Sequence, residues 1–431
     1  MGWASEELDT IDLGDARLNR RAATLAETFA DSPTASIPGA CHDHAEVRAA
    51  YRFFDHESVG FWDVLAPHIR STERRMGEHP IVLCLQDTTT LDFNGQDIEG
   101  LGPLNYEPQR GLLVHPTYVV TPGREPLGLL DSWNWARKFR DADGKRPPDI
   151  LESRRWVDGY ERIAESAAGM PETRCVCVGD RESDLMPLMR SAAAQRYPAD
   201  WLVRAKHDRV LGDEQGGRLF ARVEASEPIG RVAFRYRPRR GTKARDVVQE
   251  LRVERVTLGR GEKLEVTCLI AREIAPPEGV APLQWRLLSN RPVGSAEEAA
   301  ELIEWYRARW EIEQFFDVLK NGCKIEELQL RALERLEVAL ALFMICAWRI
   351  DRLMRLGRHC PEREAAVVFE PDEIRAAYAA NKRPVPEGEP ARLGGGDAAD
   401  RHGRRLSRKE GRRGSGGSDD LARTGAGDGL R

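Results

Sequence analysis

The chain has 431 residues, 41% of them hydrophobic, with eight cysteines and a formal net charge of −5. That length exceeds one simple core and points to two or three domains. No apolar run reaches a membrane span, the polar, acidic start MGWASEELDTIDLGD has no signal-peptide core, and the cysteines lack paired zinc spacing, which together fit a reduced cytoplasmic protein.

Residues 1–66 read as a small helical module. LGDARLNRRAATLAETFADSP offers Asp15 as an N-cap and Leu18, Ala22, Leu25, Ala26 and Phe29 at helical spacing, with Arg17, Arg20 and Arg21 off that stripe. AEVRAAYRFFDHESV is a second short helix. From about residue 67 the pattern changes to alternating strands and helices, which predicts a mixed α/β core over 67–375. PIVLCLQ, the pair around a Pro-Gly turn in GLLVHPTYVVTPGREPLGLLDSW, RCVCVGD and DWLVRAKHD are strands, and ERIAESAAGM is helical. Residues 207–282 are β-rich and read as an inserted subdomain. Within it RVAFRYRPRRGTKAR carries seven basic residues and no acid. This is a solvated hairpin or a phosphate-binding ribbon, with composition alone favouring neither. LQWRLLSNRPV returns to the core, AEEAAELIEWYRARWEIEQFFDVLKNG is one long helix ending near Gly322, and LERLEVALALFMICAWRIDRLMRLG is another.

Two strand ends and one helix face carry chemistry. Asp87 follows the apolar run IVLCLQ, and Asp180 follows CVCVG. Each alone is as well read as a turn or helix cap. Two strands ending the same way are harder to explain by capping. On the long helix, Tyr306, Arg309, Glu313 and Lys320 stand at offsets 0, 3, 7 and 14, which at ~100° per residue form one stripe. Ile312, Phe315 and Leu319 occupy another side. Ordinary helix salt bridges would explain that stripe alone. Together, two strand-end Asp and a helical Glu offer hard oxygen ligands for two Mg²⁺ or Mn²⁺ ions. Such a pair, ~3.5–4 Å apart, activates water and stabilises a leaving oxygen at a phosphodiester. Basic residues beside the acid would grip neighbouring phosphates.

VGDRESD resembles the DREAD-type motif, and Y-x2-R-x3-E-x6-K resembles the Tyr-Arg-Glu-Lys signature of bacterial DDE transposases, insertion-sequence-four family, Tn-five-like branch. The resemblance extends over residues 5 to 380. It implies an RNase H-like catalytic core (retroviral-integrase-like) with a β-sheet insertion, behind a helical N-terminal DNA-binding domain (1–66). It also implies Asp87, Asp180 and Glu313 as catalytic metal ligands. Arg204 and Lys206 would lie near the cleaved DNA end, and Trp285 would stack a flipped base. Arg237, Arg239 and Arg240 would contact DNA, as would Tyr306, Arg309 and Lys320. Arg181, Glu182 and Asp184 would fix Asp180. The partners implied are double-stranded DNA (transposon ends and target) and a second copy of the chain, in a bacterial cytoplasm at the nucleoid.

Residues 376–431 depart from that pattern. From Ala391 there are eleven Gly, nine Arg, and no Ile, Val or aromatic residue. Such a tail cannot bury enough apolar surface to order itself and is expected to be disordered. It resembles another reading frame of a GC-rich gene, which would impair pairing. The functional expectation is cut-and-paste transposition. The alternatives are a transposition-defective DNA-binding remnant and a metal-dependent nuclease of the same fold.

Overall fold

Five helices open the chain in the computed structural model: α1 (Trp3–Glu7), α2 (Ala16–Asp31), α3 (Ile37–Ala40), α4 (His44–Phe54) and α5 (Phe61–Met76). The described residues are 2–106, 108–139, 152–213, 216–236, 244–259, 263–359, 361–369, 371, 374–375, 378 and 390–393. Helix α2 starts where the sequence places it, because the Asp15 side chain accepts from the Arg17 N–H. Ala22, Leu25, Ala26 and Phe29 are buried, while Leu18 is only half-buried. Phe29 stacks on Phe343, 5.0 Å between ring centroids. The helical module therefore shares its core with later elements, and residues 1–355 form a single compact unit.

Among the described residues the sheet has eleven strands: β1 (Ile81–Gln86), β2 (Thr89–Asp92), β3 (Gly102–Pro103), β4 (Arg110–Val120), β5 (Pro126–Trp135), β6 (Arg174–Gly179), β7 (Asp200–Arg204), β8 (Gly230–Tyr236), β9 (Arg245–Leu258), β10 (Leu264–Glu273) and β11 (Gln284–Ser289). In its core β4 is antiparallel to β5 and β1, β1 is parallel to β6, and β6 to β7. That order, β5–β4–β1–β6–β7, is the RNase H-like arrangement. Helix α6 (Arg154–Ala168) connects β5 to β6, and α7 (Met186–Ala194) connects β6 to β7. The β-rich interval is not a separate sheet. Strand β11 pairs with β7 on one side and β10 on the other, so β10, β9 and β8 extend the core sheet outward. One short helix, α8 (Leu219–Glu224), precedes β8.

The long helix of the sequence reading is broken. It runs as α9 (Ala296–Ala308), restarts as α10 (Trp310–Asp317) and closes in a π turn, Val318–Gly322. The break falls at Arg309, whose carbonyl accepts from the Ile312 N–H at a three-residue spacing. Behind α10, Ile312, Phe315 and Leu319 are fully buried, and Phe315 stacks on Tyr118 at 4.6 Å. Helix α11 (Leu333–His359) follows. Among the described residues no helix is long and apolar enough to cross a membrane.

A second unit comprises residues 356–431. Among its described residues, Leu393 N–H donates to the Arg363 carbonyl at 2.9 Å, and Leu393 is buried. The first three residues of the Gly/Arg tail are thus paired. The expectation of disorder began at Ala391, so it does not hold for Ala391, Arg392 and Leu393; residues 394–431 lie outside the described residues.

Candidate active site

Strands β1 and β6 run parallel in register, Leu85 beside Val178. The same offset sets Asp87 beside Asp180 at their common C-terminal edge. The pairing of β1 with β4 resumes unchanged in β2: Gln86 faces Thr117, and Thr89 faces Val114. Asp87 therefore stands opposite Pro116, and Thr88 opposite His115. Proline has no N–H to give, and the ladder is interrupted at that point. Thr88 N–H donates to Asp87 Oδ1, at 2.8 Å. At the β6 end, Asp180 Oδ1 accepts from the Glu182 N–H at 2.7 Å, capping a short 3₁₀ turn, Arg181–Ser183. Capping and strand-end placement are therefore both properties of Asp180.

Arg309, at the break between α9 and α10, brings the third carboxylate in. Its Nη1 donates to Asp87 Oδ2 at 2.6 Å and its Nη2 to Glu313 Oε1 at 3.1 Å. Its Nε is buried with no hydrogen-bond partner among the described residues. Burial pushes the Asp87 carboxyl up to about 6; Arg309 opposes that rise, and the charges of Asp180 and Glu313 add to it. Three acids thus act on one another around one guanidinium.

The donor set suits a hard divalent cation: carboxylate oxygens only, with a surplus of negative charge that one arginine does not cancel. Among the described residues no three His, Cys, Asp or Glu side chains are arranged as a ready-made metal cage. Arg309 takes an oxygen of Asp87 and one of Glu313. The residues fit the cation in chemistry, and the arginine holds its place in charge.

Surrounding groups that the sequence reading passed over hold these ends in place. Arg155, at the start of α6, is buried and donates from Nε to Thr88 Oγ1 at 3.0 Å and from Nη2 to Glu182 Oε2 at 2.6 Å. Thr88 Oγ1 also meets His115 Nδ1 at 2.9 Å, and His115 Nε2 meets Gln86 Oε1 at 3.2 Å. Burial holds His115 well below the usual imidazole range, so the ring is neutral and passes one hydrogen bond along. Asp184 is buried. Its Oδ2 accepts from the Lys206 and His207 N–H groups at 2.7 and 2.9 Å, and its Oδ1 pairs with Arg209 at 2.6 Å. It anchors the segment after β7. The triple Thr after Asp87 and the Arg-Arg-Trp at the start of α6 were the visible signals for Thr88 and Arg155.

Next to Asp180, a cleft of about 230 Å³ is lined by Arg181, Arg204, Lys206, Phe220, Gln284 and Arg286. Arg286 lies over the Phe220 ring and pairs with Glu224. Trp285 points to the opposite face of β11 and is buried. Phe234 stacks on it at 5.4 Å, and Tyr306 packs against its edge at 5.9 Å. The predicted stripe is thus divided. Arg309 and Glu313 join Asp87, Tyr306 is buried, and Lys320 lies 3.6 Å from Glu326. In the basic run, Arg235 pairs with Asp246 and Arg245 with Glu273. Arg237, Arg239 and Arg240 lie outside the described residues.

Three family models match the chain in succession: a transposase DNA-binding model over residues 1–59, a transposase DDE domain over 157–349 and a Tn5 transposase dimerisation domain over 345–424. The chain belongs to the Tn5-like DDE transposases. The DDE match takes in Asp180 and Glu313, and Asp87 precedes it. The dimerisation match continues through the Gly/Arg stretch that composition sets apart. A solved structure, a piggyBac transposase synaptic complex with hairpin DNA, is similar at 10% identity and a TM-score of 0.35. The similarity covers 86% of this chain and 62% of that one, so the chain spans less than two thirds of that relative's length.

Proposed function

We propose that this DDE transposase cuts and joins DNA ends, with Asp87, Asp180 and Glu313 as its cleavage site. The observation that carries the reading is the parallel register of β1 and β6, which delivers two aspartates to one edge, with Arg309 tying Glu313 to the first of them. The three carboxylates would hold two divalent cations, Mg²⁺ or Mn²⁺, which when bound supply Lewis-acid activation at the phosphodiester. The strand-end acids and Glu313 on α10 would position the scissile phosphate through the cations they hold. Arg309, released from the carboxylates, is long enough to take a phosphate oxygen instead, and Arg181, Arg204 and Lys206 line the path of the backbone. In this reading water opens the transposon end and frees a 3′-OH. That hydroxyl attacks a phosphodiester of the opposite strand, expelling the flanking strand's 3′ oxygen to give a hairpin; water hydrolyses the hairpin and regenerates the 3′-OH, which attacks a target phosphodiester and expels a 3′ oxygen of the target strand.

For Trp285 to stack a flipped base, Phe234 must first leave its face. The DNA-binding family match supports end recognition by the N-terminal helices, and the dimerisation match supports pairing of two copies on DNA. Both would take place at a bacterial nucleoid. The test uses Asp87→Asn, Asp180→Asn and Glu313→Gln with end DNA. Each variant is expected to lose Mg²⁺-dependent nicking and to keep its gel-shift affinity. Wild-type nicking by any of them removes that residue from the site.

A further inference from the structure

We propose that Arg155 is a positioning residue that sets the spacing of Asp87 and Asp180, and through it the grip of the site on divalent cations; this rests on the functional reading above. The argument is one of connectivity. Asp87 is aimed by the Thr88 N–H and Asp180 by the Glu182 N–H. The side chains of those same two residues, Thr88 and Glu182, are the ones that the Arg155 fork joins, through Nε and Nη2. The guanidinium is planar and rigid, so its two bonds fix a distance between the β1 end and the β6 end that the sheet alone, ending at Gln86 and Gly179, leaves open.

The arginine is itself held. Trp135 and Trp156 each lie 5.5 Å from its guanidinium carbon, and Nη1 donates to the Glu152 carbonyl. An ordinary surface ion pair needs none of this. The Glu182 side chain is 60% exposed, whereas that of Arg155 is 8% exposed. The buried member is the one that reaches both strand ends. Lysine has the charge but not the fork, and it can meet Thr88 or Glu182 but not both in one fixed geometry.

The test uses the full chain on transposon-end DNA, with Arg155→Lys and Thr88→Val as variants and Asp180→Asn as the control. Mn²⁺ binding is read by electron paramagnetic resonance, alongside the Mn²⁺ dependence of nicking, end-DNA affinity and melting temperature. Loss of such a supporting contact typically weakens metal affinity about 10- to 100-fold. Arg155→Lys is expected to raise both the Mn²⁺ dissociation constant and the half-saturating Mn²⁺ by about that factor. DNA affinity should hold, and the nicking rate should recover at high Mn²⁺. Thr88→Val, which cuts one arm of the bridge, should move metal binding the same way even if the lysine variant folds poorly. Unchanged Mn²⁺ binding in both variants, or a loss of nicking that excess Mn²⁺ does not restore, overturns the proposal. If the wild-type chain itself neither binds Mn²⁺ nor nicks, the cleavage reading fails and takes this proposal with it.

Discussion

At the scale of single residues, the site is organised by arginines as much as by acids. Arg309 bridges Asp87 and Glu313, and its positive charge opposes the rise that burial imposes on Asp87. Replacing it with Gln removes that opposition, so the Asp87 carboxyl should climb above about 6. A carboxylate that must be ionised would then ionise at higher pH. The acid limb of a pH–nicking profile is expected to move to higher pH in Arg309→Gln; a limb that stays in place would separate Arg309 from Asp87 titration. Asp184 is a second test at this scale. It is buried, it pairs with Arg209, and it accepts two backbone N–H groups. Asp184→Ala leaves those amides without partners and Arg209 with the carbonyl of residue 184 but no carboxylate, and breaking such a buried pair costs about 3–5 kcal/mol. A melting curve should show that loss, together with weaker DNA binding as Lys206 shifts.

At the scale of elements, α1 and α5 are joined by a buried ionic cluster that predicts an acid-sensitive fold. Glu7 accepts from His68 Nδ1 at 2.5 Å and from Arg75 at 2.7 and 2.9 Å, and the Leu129 N–H donates to His68 Nε2 at 3.0 Å. Burial by itself would raise Glu7, but these partners hold it at about 2. Its contribution is therefore present above the ordinary glutamate value of 4.5 and is lost as pH falls towards 2. Burial lowers His68, so the unfolded chain takes up a proton below about 6.5 that the folded chain resists, and stability falls in the same direction. The melting temperature should drop below about pH 6.5 through His68 and again below pH 4.5 through Glu7, and Glu7→Gln should flatten that second drop while costing about 3 kcal/mol at neutrality. None of this was legible in the sequence, because Glu7 and His68 sit on separate helices with no shared periodicity. The strand-end acids were legible, since an apolar run ending in Asp is visible locally. The apolar face of α10 was legible for the same reason, from Ile312 and Phe315. The helix break at Arg309 was not, nor was the contact of that side chain with Asp87, 222 residues away in sequence. Nor was the continuity of the inserted strands with the core, which depends on β11 pairing on both sides.

At the scale of the whole molecule, the chain joins a DNA-binding match, a catalytic match and a dimerisation match in one order. The dimerisation match reaches residue 424, across a stretch whose composition argues against a packed core. Deleting residues 394–431 is expected to leave the melting temperature unchanged, and to reduce paired-end complexes on native gels if that match reflects pairing. The central claim is that Asp87, Asp180 and Glu313, far apart in sequence, form one cation site. Iron-directed cleavage of the chain measures this most directly. With Fe²⁺ substituted for Mg²⁺ on end DNA, and ascorbate and peroxide added, radicals formed at the bound iron cut the nearest backbone. The account predicts breaks near residues 87, 180 and 313 together, all suppressed by excess Mg²⁺ and absent in Asp180→Asn. Breaks at only one of the three segments, or a pattern unchanged in Asp180→Asn, would contradict it.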